Sequence, residues 1–185
     1  LPTPSAAMTK GRTPGLVYLA GARDKEVFEI LWRLFPGLSA WSLVEMELGT
    51  NPESGESIRA TVVTGETGYR RALVESTLAV DLDGVDPELP VKAAELAVPC
   101  IRADVGEQPW LWPELSVTGA DIGRATELAR TMLTDQGEAS SACAHARERL
   151  TTSVADTKLH SKIRPSLRPG APGGDEEPTQ AYVGV

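Results

Sequence analysis

The sequence has few of the residues that most often build covalent or metal-bound sites. It contains two cysteines, Cys100 and Cys143, and two histidines, His145 and His160, among 185 residues. Two cysteines cannot form the framework of several disulfides that holds a small secreted protein together. Both histidines lie late in the chain, and no group of His, Cys and carboxylate residues has the spacing of metal ligands. We therefore expect no metal site.

Long apolar runs and dense basic segments are also lacking. No run approaches the roughly 20 apolar residues of a membrane-spanning helix, and no apolar signal-peptide core follows Lys10 and Arg12. The formal net charge is -8, whereas a nucleic-acid-binding protein needs a basic surface to gain affinity from counterion release. The sequence predicts a cytoplasmic protein with no transmembrane segment and no nucleic-acid partner.

Three catalytic motifs are missing as well. No Gly-x-Gly-x-x-Gly follows the first predicted strand, and no Gly-x-x-x-x-Gly-Lys-Ser/Thr occurs anywhere, which argues against a dinucleotide dehydrogenase and a P-loop NTPase. The Gly-x-Ser-x-Gly turn of many serine hydrolases is absent too. Helix N-termini remain as the main groups with which such a chain could bind an anion.

The sequence does contain a regular alternation of short apolar runs and amphipathic segments. The predicted strands are Leu16–Ala20, Trp41–Leu48, Arg59–Val63, Thr77–Leu82, Val98–Ala103 and Leu115–Val117. Predicted helices lie between and after them: Asp24–Leu34 with Asp24 as a cap, a helix around Tyr69–Leu73, Pro90–Ala97, Asp121–Leu133 and Glu138–Leu150. This alternation predicts a Rossmann-like, doubly wound α/β domain, with a parallel sheet of about six strands and helices on both faces.

Composition changes at both ends of the chain. Residues 1–15 are rich in Pro, Thr and Gly, which is typical of a linker or an N-terminal arm. Residues 151–185 contain few apolar side chains and a Pro- and Gly-rich stretch, which predicts a polar, disordered C-terminal tail. The α/β domain is expected to occupy residues 16–150.

The segment Thr77–Ala103 is the clearest structural unit in the sequence. It reads as a strand, a polar turn, a short helix and a second strand, the order of a parallel βαβ unit. Ligands of open parallel sheets bind where strands end and helices begin. The turn Asp83–Pro90 is therefore the first place where we expect a functional site.

Several segments carry a resemblance to a known family. They are the strand Leu16–Gly21, the run Arg59–Gly65 followed by Tyr69–Leu73, the strand Leu78–Leu82, the helix Leu89–Ala97 with the strand Val98–Ile101, and the closing helical pair Ala125–Leu133 and Ala144–Arg149. In order and pattern they resemble the C-terminal, nucleotide-sugar-binding half of a GT-B glycosyltransferase. The match is most specific where a helix that begins Pro-x-Lys-x-x-Glu precedes a strand that begins Val-Pro.

The resemblance implies a role for the helix that begins at Pro90. Its glutamate, Glu95, would bind the ribose hydroxyls of a nucleoside diphosphate sugar, and the helix start at Pro90 and Lys92 would face the diphosphate. A carboxylate suits this role because its two oxygens can accept hydrogen bonds from two adjacent hydroxyls. The alternative is that Glu95 faces solvent and forms an ordinary i,i+3 pair with Lys92, and that Lys92 is simply solvated.

Two further groups of candidates follow other strands. Gly21 could let the backbone approach a ligand while Arg23 and Lys25 neutralise a diphosphate; alternatively they are a glycine turn with solvated charges. Thr64 and Gly65 stand where the family holds the base with main-chain groups, or they form an ordinary turn. In another segment, Trp110 and Trp112 could stack on a sugar or base, pack in the core or cover an interface with a missing domain.

The chain departs from the family pattern in two ways. Ala97 runs directly into Val98, about three residues short of the family's usual glycine-containing junction. The sequence also holds one Rossmann-like domain, whereas a GT-B enzyme works in the cleft between two. The acceptor site and any catalytic base would therefore belong to a missing N-terminal Rossmann-like domain or a partner chain, and no catalytic residue is assigned.

These observations lead to three functional hypotheses. The first is the donor-binding half of a glycosyltransferase, which transfers a sugar from a nucleoside diphosphate sugar to an unknown acceptor. The nucleotide sugar would be a substrate, and no cofactor is expected. The second is a non-catalytic, glycosyltransferase-like interaction or scaffolding module. The third is a receiver-like signalling domain: Asp81 and Asp83 favour it, but the acidic pair expected after the first strand is absent.

Overall fold

A computed structural model of the protein describes residues 15–103 and 110–163. The chain divides into a first compact unit that ends at Thr152 and a second unit that begins at Ser153. All of the elements that follow belong to the first unit, except the part of the last helix beyond Thr152. The strands are β1 (Leu16–Leu19), β2 (Ser39–Ser42), β3 (Glu47–Thr50), β4 (Ser57–Arg59), β5 (Thr61–Val62), β6 (Leu78–Asp81), β7 (Cys100–Ala103) and β8 (Ser116–Val117). The α-helices are α1 (Asp24–Leu34), α2 (Gly65–Glu75), α3 (Leu89–Leu96), α4 (Ile122–Thr134) and α5 (Gln136–Ile163).

Six of the strands form one parallel sheet in the order β5-β2-β1-β6-β7-β8. The central strands β1, β6 and β7 are buried along their whole length. Their near-continuous apolar sequences reflect this, because helices cover both sides of a parallel sheet. The predicted six-stranded, doubly wound α/β fold is confirmed.

The helices lie on both faces of the sheet. Helices α2 and α3 contact each other and pack against β1 and β7, while α1 packs beside α4, which contacts β6 and β7. The face under α2 and α3 carries Tyr18, and the ring of Tyr69 from α2 meets it edge-on, with 5.6 Å between ring centroids. The predicted βαβ unit is formed by β6, α3 and β7, whose strands pair in parallel.

The region between β2 and β5 differs from the sequence prediction. The predicted strand Trp41–Leu48 is wrong in extent, because β2 ends at Ser42 and the chain then forms an antiparallel hairpin of β3 and β4. The predicted polar loop Gly49–Ser57 lies largely within this hairpin. Leu48 is buried, and its strand β3 packs against α1. Its apolar character therefore reflects packing against a helix and not a position in the main sheet.

The predicted strand Arg59–Val63 also splits. Arg59 ends β4 in the hairpin, whereas only Thr61–Val62 joins the main sheet as β5. Between them, the Ala60 N–H donates to the Met46 carbonyl at 3.0 Å, which keeps the chain in the hairpin for one more residue. A continuous β-prone sequence therefore serves two sheets.

The segment that follows the gap in the described residues is fixed by one aromatic side chain. Trp112 is fully buried, and its indole N–H donates to the Pro90 carbonyl at 3.0 Å. Arg149 of α5 donates to the Leu111 carbonyl and pairs with Glu114. Trp112 is thus a packing anchor, whereas Trp110 remains 39% exposed.

The predicted N-terminal arm and C-terminal tail lie partly outside the described residues. Helix α5 ends at Ile163, further along than the Leu150 expected from composition. The predicted arm, except for residue 15, and residues 164–185 of the predicted tail lie outside the described residues. Among the helices of the described ranges, none is both long enough and apolar enough to cross a membrane.

Candidate functional site

The turns after β1 and β6 lie side by side at the carboxyl edge of the sheet, because these two strands are neighbours. Gly21 follows β1 and faces Asp83: a Cβ atom at Gly21 would lie 2.7 Å from the Asp83 Oδ2. The Arg23 N–H donates to the same oxygen at 3.0 Å, and the Arg23 Nε lies 3.4 Å from Oδ1. The group that lies close to Gly21 is a carboxylate of the chain itself, and the approach of a ligand to Gly21 stays a prediction.

A second carboxylate, that of Asp24, accepts hydrogen bonds from both of these turns. Asp24 is fully buried at the first position of α1. Its Oδ2 accepts the N–H groups of Ala20 and Gly21 at 2.9 and 2.6 Å, and its Oδ1 accepts that of Leu82 at 2.8 Å. Burial raises the pKa of Asp24 to about 7, although the three N–H donors act in the opposite direction. The sequence analysis treated Asp24 only as a helix cap.

Two more carboxylates shape the turn between β6 and α3. Buried Asp81 accepts the N–H groups of Val85 and Asp86 at 2.9 and 3.3 Å, and burial raises the pKa of its carboxyl group. The Asp86 Oδ1 accepts the N–H groups of Glu88 and Leu89, each at 3.1 Å. The Asp86 Oδ2 accepts the Tyr69 hydroxyl at 2.6 Å. The turn is therefore folded around Asp81, which the sequence analysis named only as part of a receiver-like signal, and around Asp86, which it did not single out.

These contacts determine which main-chain donors already have acceptors. The N–H groups of Gly21, Arg23 and Leu82 donate to Asp24 and Asp83. At the start of α3, the Leu89 N–H donates to Asp86 and Pro90 has no N–H. The donors that a phosphate group would use at such an edge are thus largely engaged by aspartates of the chain.

Lys92 of α3 is also engaged. Its Nζ lies 2.9 Å from a Glu88 carboxylate oxygen and 3.0 Å from one of Glu66, and it sits 4.5 Å from the centre of the Tyr69 ring. The hydrogen bonds to Glu88 and then Glu66 raise the pKa of Lys92. Lys92 therefore pairs with Glu88 one turn before it and with Glu66 of α2.

Glu95 is exposed in the last turn of α3. At a rise of about 1.5 Å per residue, it lies roughly 9 Å along the helix axis from Leu89. Immediately after it, α3 ends in a Schellman motif: the Val98 N–H donates to the Ala93 carbonyl at 2.8 Å, and Ala97 has φ 55. The shortened junction is thus closed by an alanine in the left-handed conformation that glycine usually provides.

The remaining predicted residues lie at two separate places. Lys25 is partly exposed and lies 3.7 Å from Glu29 on the same helix. Thr64 and Gly65 begin α2 beyond β5, so the strands β2 and β1 separate them from the β6–α3 turn. Gly65 has φ +69 and the Thr64 side chain makes no capping hydrogen bond. The structure groups Gly21 with Arg23 and Pro90 with Lys92, and it keeps Thr64 and Gly65 apart from both pairs.

No three His, Cys, Asp or Glu residues in the described ranges are arranged to hold a metal ion. The four aspartates of this edge are close together, but their oxygens accept main-chain N–H groups or face Arg23. Their arrangement is that of a hydrogen-bonded turn. It does the structural work of fixing two loops at the carboxyl edge of the sheet.

Known proteins match this chain in structure. No protein-family model and no curated protein matches its sequence. A chain described as TarM superposes with a TM-score of 0.57 at 14% identity, covering 80% of this chain and 35% of that one. The UDP-GlcNAc 2-epimerase of Neisseria meningitidis, bound to UDP-GlcNAc, gives 0.56 at 11%, covering 84% and 46%. Sucrose-phosphate synthase of Thermosynechococcus elongatus gives 0.55 at 14%, covering 86% and 48%.

The fold is of the GT-B type and is shared with these structures, which include glycosyltransferases and an epimerase. The resemblance drawn from the sequence is confirmed at this level. The chain spans between 35% and 48% of the length of the three structures described above, which agrees with one half of a two-domain fold. Identities of 11–14% establish the fold alone, and the role of each predicted site residue remains a prediction.

Proposed function

We propose that this domain is the nucleotide-sugar-binding half of a glycosyltransferase. The observation that carries the proposal is the agreement between the structural match and the most specific sequence match, the helix α3 with its Pro-x-Lys-x-x-Glu start and the following Val-Pro strand. One structural neighbour is described as bound to UDP-GlcNAc, and another is a sucrose-phosphate synthase. In the proposed reaction, a sugar passes from a nucleoside diphosphate donor to an acceptor.

The proposed donor site is built around Glu95. Its carboxylate is exposed, so both oxygens are available to the ribose hydroxyls. Main-chain groups of Thr64 and Gly65, at the uncapped start of α2, would contact the base. These three residues make the part of the proposed site that the aspartates leave open.

The diphosphate would be neutralised by cations and a helix start, with no metal or cofactor in the scheme. Arg23 and Lys25 follow the glycine turn at Gly21 and are both substantially exposed, while Pro90 and Lys92 begin α3. For Arg23 or Lys92 to serve, the phosphate must compete with the carboxylates that they face now. The acceptor and any catalytic base would come from an N-terminal Rossmann-like domain or a partner chain.

A second candidate function has a specific observation in its favour. The carboxylates of Asp24, Asp83 and Asp86 accept the main-chain N–H groups at the β1 and β6 turns, where they stand in the place of a ligand anion and add negative charge. A domain with this edge could serve as a non-catalytic, glycosyltransferase-like interaction or scaffolding module. Nucleotide binding separates the two candidates.

The test is calorimetric titration of the full chain with UDP, GDP, UMP and UDP-GlcNAc, repeated on Glu95→Gln. Loss of a charge-assisted hydrogen bond should weaken binding roughly tenfold or more. Glu148→Gln is the matched control, because it removes the same charge from an exposed position of α5. Diphosphate-selective binding that weakens only in Glu95→Gln supports the donor site. A folded chain that binds none of the four compounds at millimolar concentration supports the interaction module.

A further inference from the structure

Arg102 is a buried cation that no role described above uses. It lies in β7, opposite Asp81 of β6 and Ser116 of β8 in the parallel register. The residue is only 9% exposed, although arginine is rarely buried unless it is paired. Its position near the carboxyl end of a central strand is where open parallel sheets bind ligands.

The guanidinium of Arg102 is poorly satisfied. Its Nη2 lies 3.9 Å from the Asp81 Oδ2, beyond hydrogen-bonding distance. The Asp81 oxygens already accept the N–H groups of Val85 and Asp86. The Nε of Arg102 is buried and has no hydrogen-bond partner in the described part of the chain. A guanidinium carries five N–H donors in a planar fork, and a buried donor such as this Nε–H costs stability when it has no acceptor.

The buried, incompletely hydrogen-bonded guanidinium indicates what kind of group could bind to it. A planar fork of donors is best satisfied by an oxyanion that accepts two parallel N–H groups at once. The Asp81 carboxylate offsets part of the charge, yet it is held away by the two main-chain donors of the β6–α3 turn. About 10% of the Arg102 side chain is exposed to solvent, although its Nε is covered.

We propose that Arg102 binds a small oxyanion, a phosphate or a carboxylate group, at the carboxyl end of β7. The site does not depend on Glu95, Thr64 or Gly65 and does not require a nucleotide. It differs from the cations after β1 because Arg102 is buried and fixed by the sheet, whereas Arg23 is exposed and Lys25 is partly exposed. The ligand is the group that completes the hydrogen bonding of the guanidinium.

The first experiment observes Arg102 directly in the full chain. In ¹⁵N NMR spectra, the Nε–H signal of Arg102 is assigned by its loss in Arg102→Lys. Inorganic phosphate, pyrophosphate and citrate are then added separately, and sodium chloride serves as the ionic-strength control. We expect phosphate, citrate or both to shift this signal and slow its exchange with water, and the comparison of the two assigns the class of anion. A signal that no anion alters up to millimolar concentrations would overturn the proposal.

A second experiment measures affinity and does not require the NMR assignment. Pyrophosphate and citrate are titrated into the wild-type chain, Arg102→Met and the control Arg130→Met, which removes the same charge from an exposed position of α4. Tenfold or greater weakening in Arg102→Met alone is expected. Equal binding by all three proteins would refute the site.

Asp104, two residues further along the sequence, carries a carboxylate that is an alternative acceptor to be tested. In Asp104→Asn, the Nε–H signal of Arg102 should remain in place without ligand and shift as before when anion is added. A change of the ligand-free signal in Asp104→Asn, with no response to anion in the wild type, would show that the guanidinium is satisfied by the chain itself. Nucleotide binding plays no part in these outcomes, so they are independent of the proposed donor site.

Discussion

Asp24 offers the sharpest test of how the carboxyl edge is held together. Its buried carboxyl group accepts three main-chain N–H groups, from Ala20, Gly21 and Leu82. Asp24→Ala leaves the buried N–H groups of Gly21 and Leu82 without an acceptor, whereas the Ala20 N–H keeps its hydrogen bond to the Val80 carbonyl at 3.0 Å. At about 1–3 kcal/mol for each of the two unsatisfied groups, this substitution should lower the free energy of unfolding at pH 5 by at least about 2 kcal/mol, a large part of the stability of an ordinary domain.

Asp24→Asn is a finer perturbation of the same position. The amide keeps one oxygen acceptor, so it can still satisfy the N–H groups of Ala20 and Gly21, but its NH₂ then faces the Leu82 N–H. We expect a loss of about 1–3 kcal/mol at pH 5. Denaturant unfolding followed by tryptophan fluorescence measures both variants, and Glu148→Gln is the control for the change in charge.

The pH dependence of the Asp24 effect follows from the direction of its pKa shift. The pKa rises from 3.8 to about 7 on folding, so between these values the native state holds a proton that the unfolded state has released. Stability therefore falls as pH rises, by about 1.4 kcal/mol per unit and of the order of 4 kcal/mol across the window. Asp81, whose pKa is also raised, acts in the same direction.

The stability of the wild type relative to Asp24→Asn should consequently fall from pH 5 to about pH 7, by about 1.4 kcal/mol per unit, so that an advantage of about 1–3 kcal/mol at pH 5 is largely lost or reversed at pH 7. A gap that stays constant from pH 5 to pH 8 would refute the assignment of this titration to Asp24. A wild-type stability that rises with pH relative to that of Asp24→Asn would refute the reasoning as a whole, because it would mean that the N–H donors outweigh burial.

Four further substitutions test neighbouring features, each by denaturant unfolding. Tyr69→Phe should cost about 1.5–3 kcal/mol because it removes the hydrogen bond to the Asp86 carboxylate, whereas Tyr18→Phe should be neutral or stabilising, because its buried hydroxyl has no hydrogen-bond partner in the described ranges. Ala97→Gly should stabilise by roughly 0.5–1 kcal/mol, since φ 55 strains an alanine; no gain would contradict the Schellman assignment. Gly21→Ala should cost about 1–3 kcal/mol, because the new Cβ would lie 2.7 Å from a carboxylate oxygen, and unchanged stability would show that this aspartate moves freely.

The sequence predicts the main sheet well because its central strands are buried on both faces. Leu16–Leu19 and Leu78–Asp81 read as short apolar runs between helical patterns, which few other folds produce. The β3–β4 hairpin was not predicted from the sequence. The apolar character of Leu48 predicts that the residue is buried, but it does not predict which element covers it. Only the register of the strands decides that.

The candidate site was less predictable because it depends on partners distant in sequence. The hydrogen bonds of Asp24 with Leu82 and of Arg23 with Asp83 link the turns after the neighbouring strands β1 and β6. Neither pairing produces a recognisable pattern in the local sequence. Lys92 shows the same limit. Its partner Glu88 was within reach of an i,i+4 argument, but Glu66 belongs to another helix.

The aspartates of the carboxyl edge also bear on how this domain could hold a phosphate. A nucleoside diphosphate and a carboxylate make the same demand on a main-chain N–H, so the two compete for Gly21 and the start of α3. A carboxylate supplied by the chain binds without loss of translational freedom, whereas a dissolved ligand pays that cost. A diphosphate would therefore gain little from these amides and would depend on cations instead. The poorly satisfied guanidinium of Arg102 is better placed to bind an anion than the amides that the fold would otherwise provide.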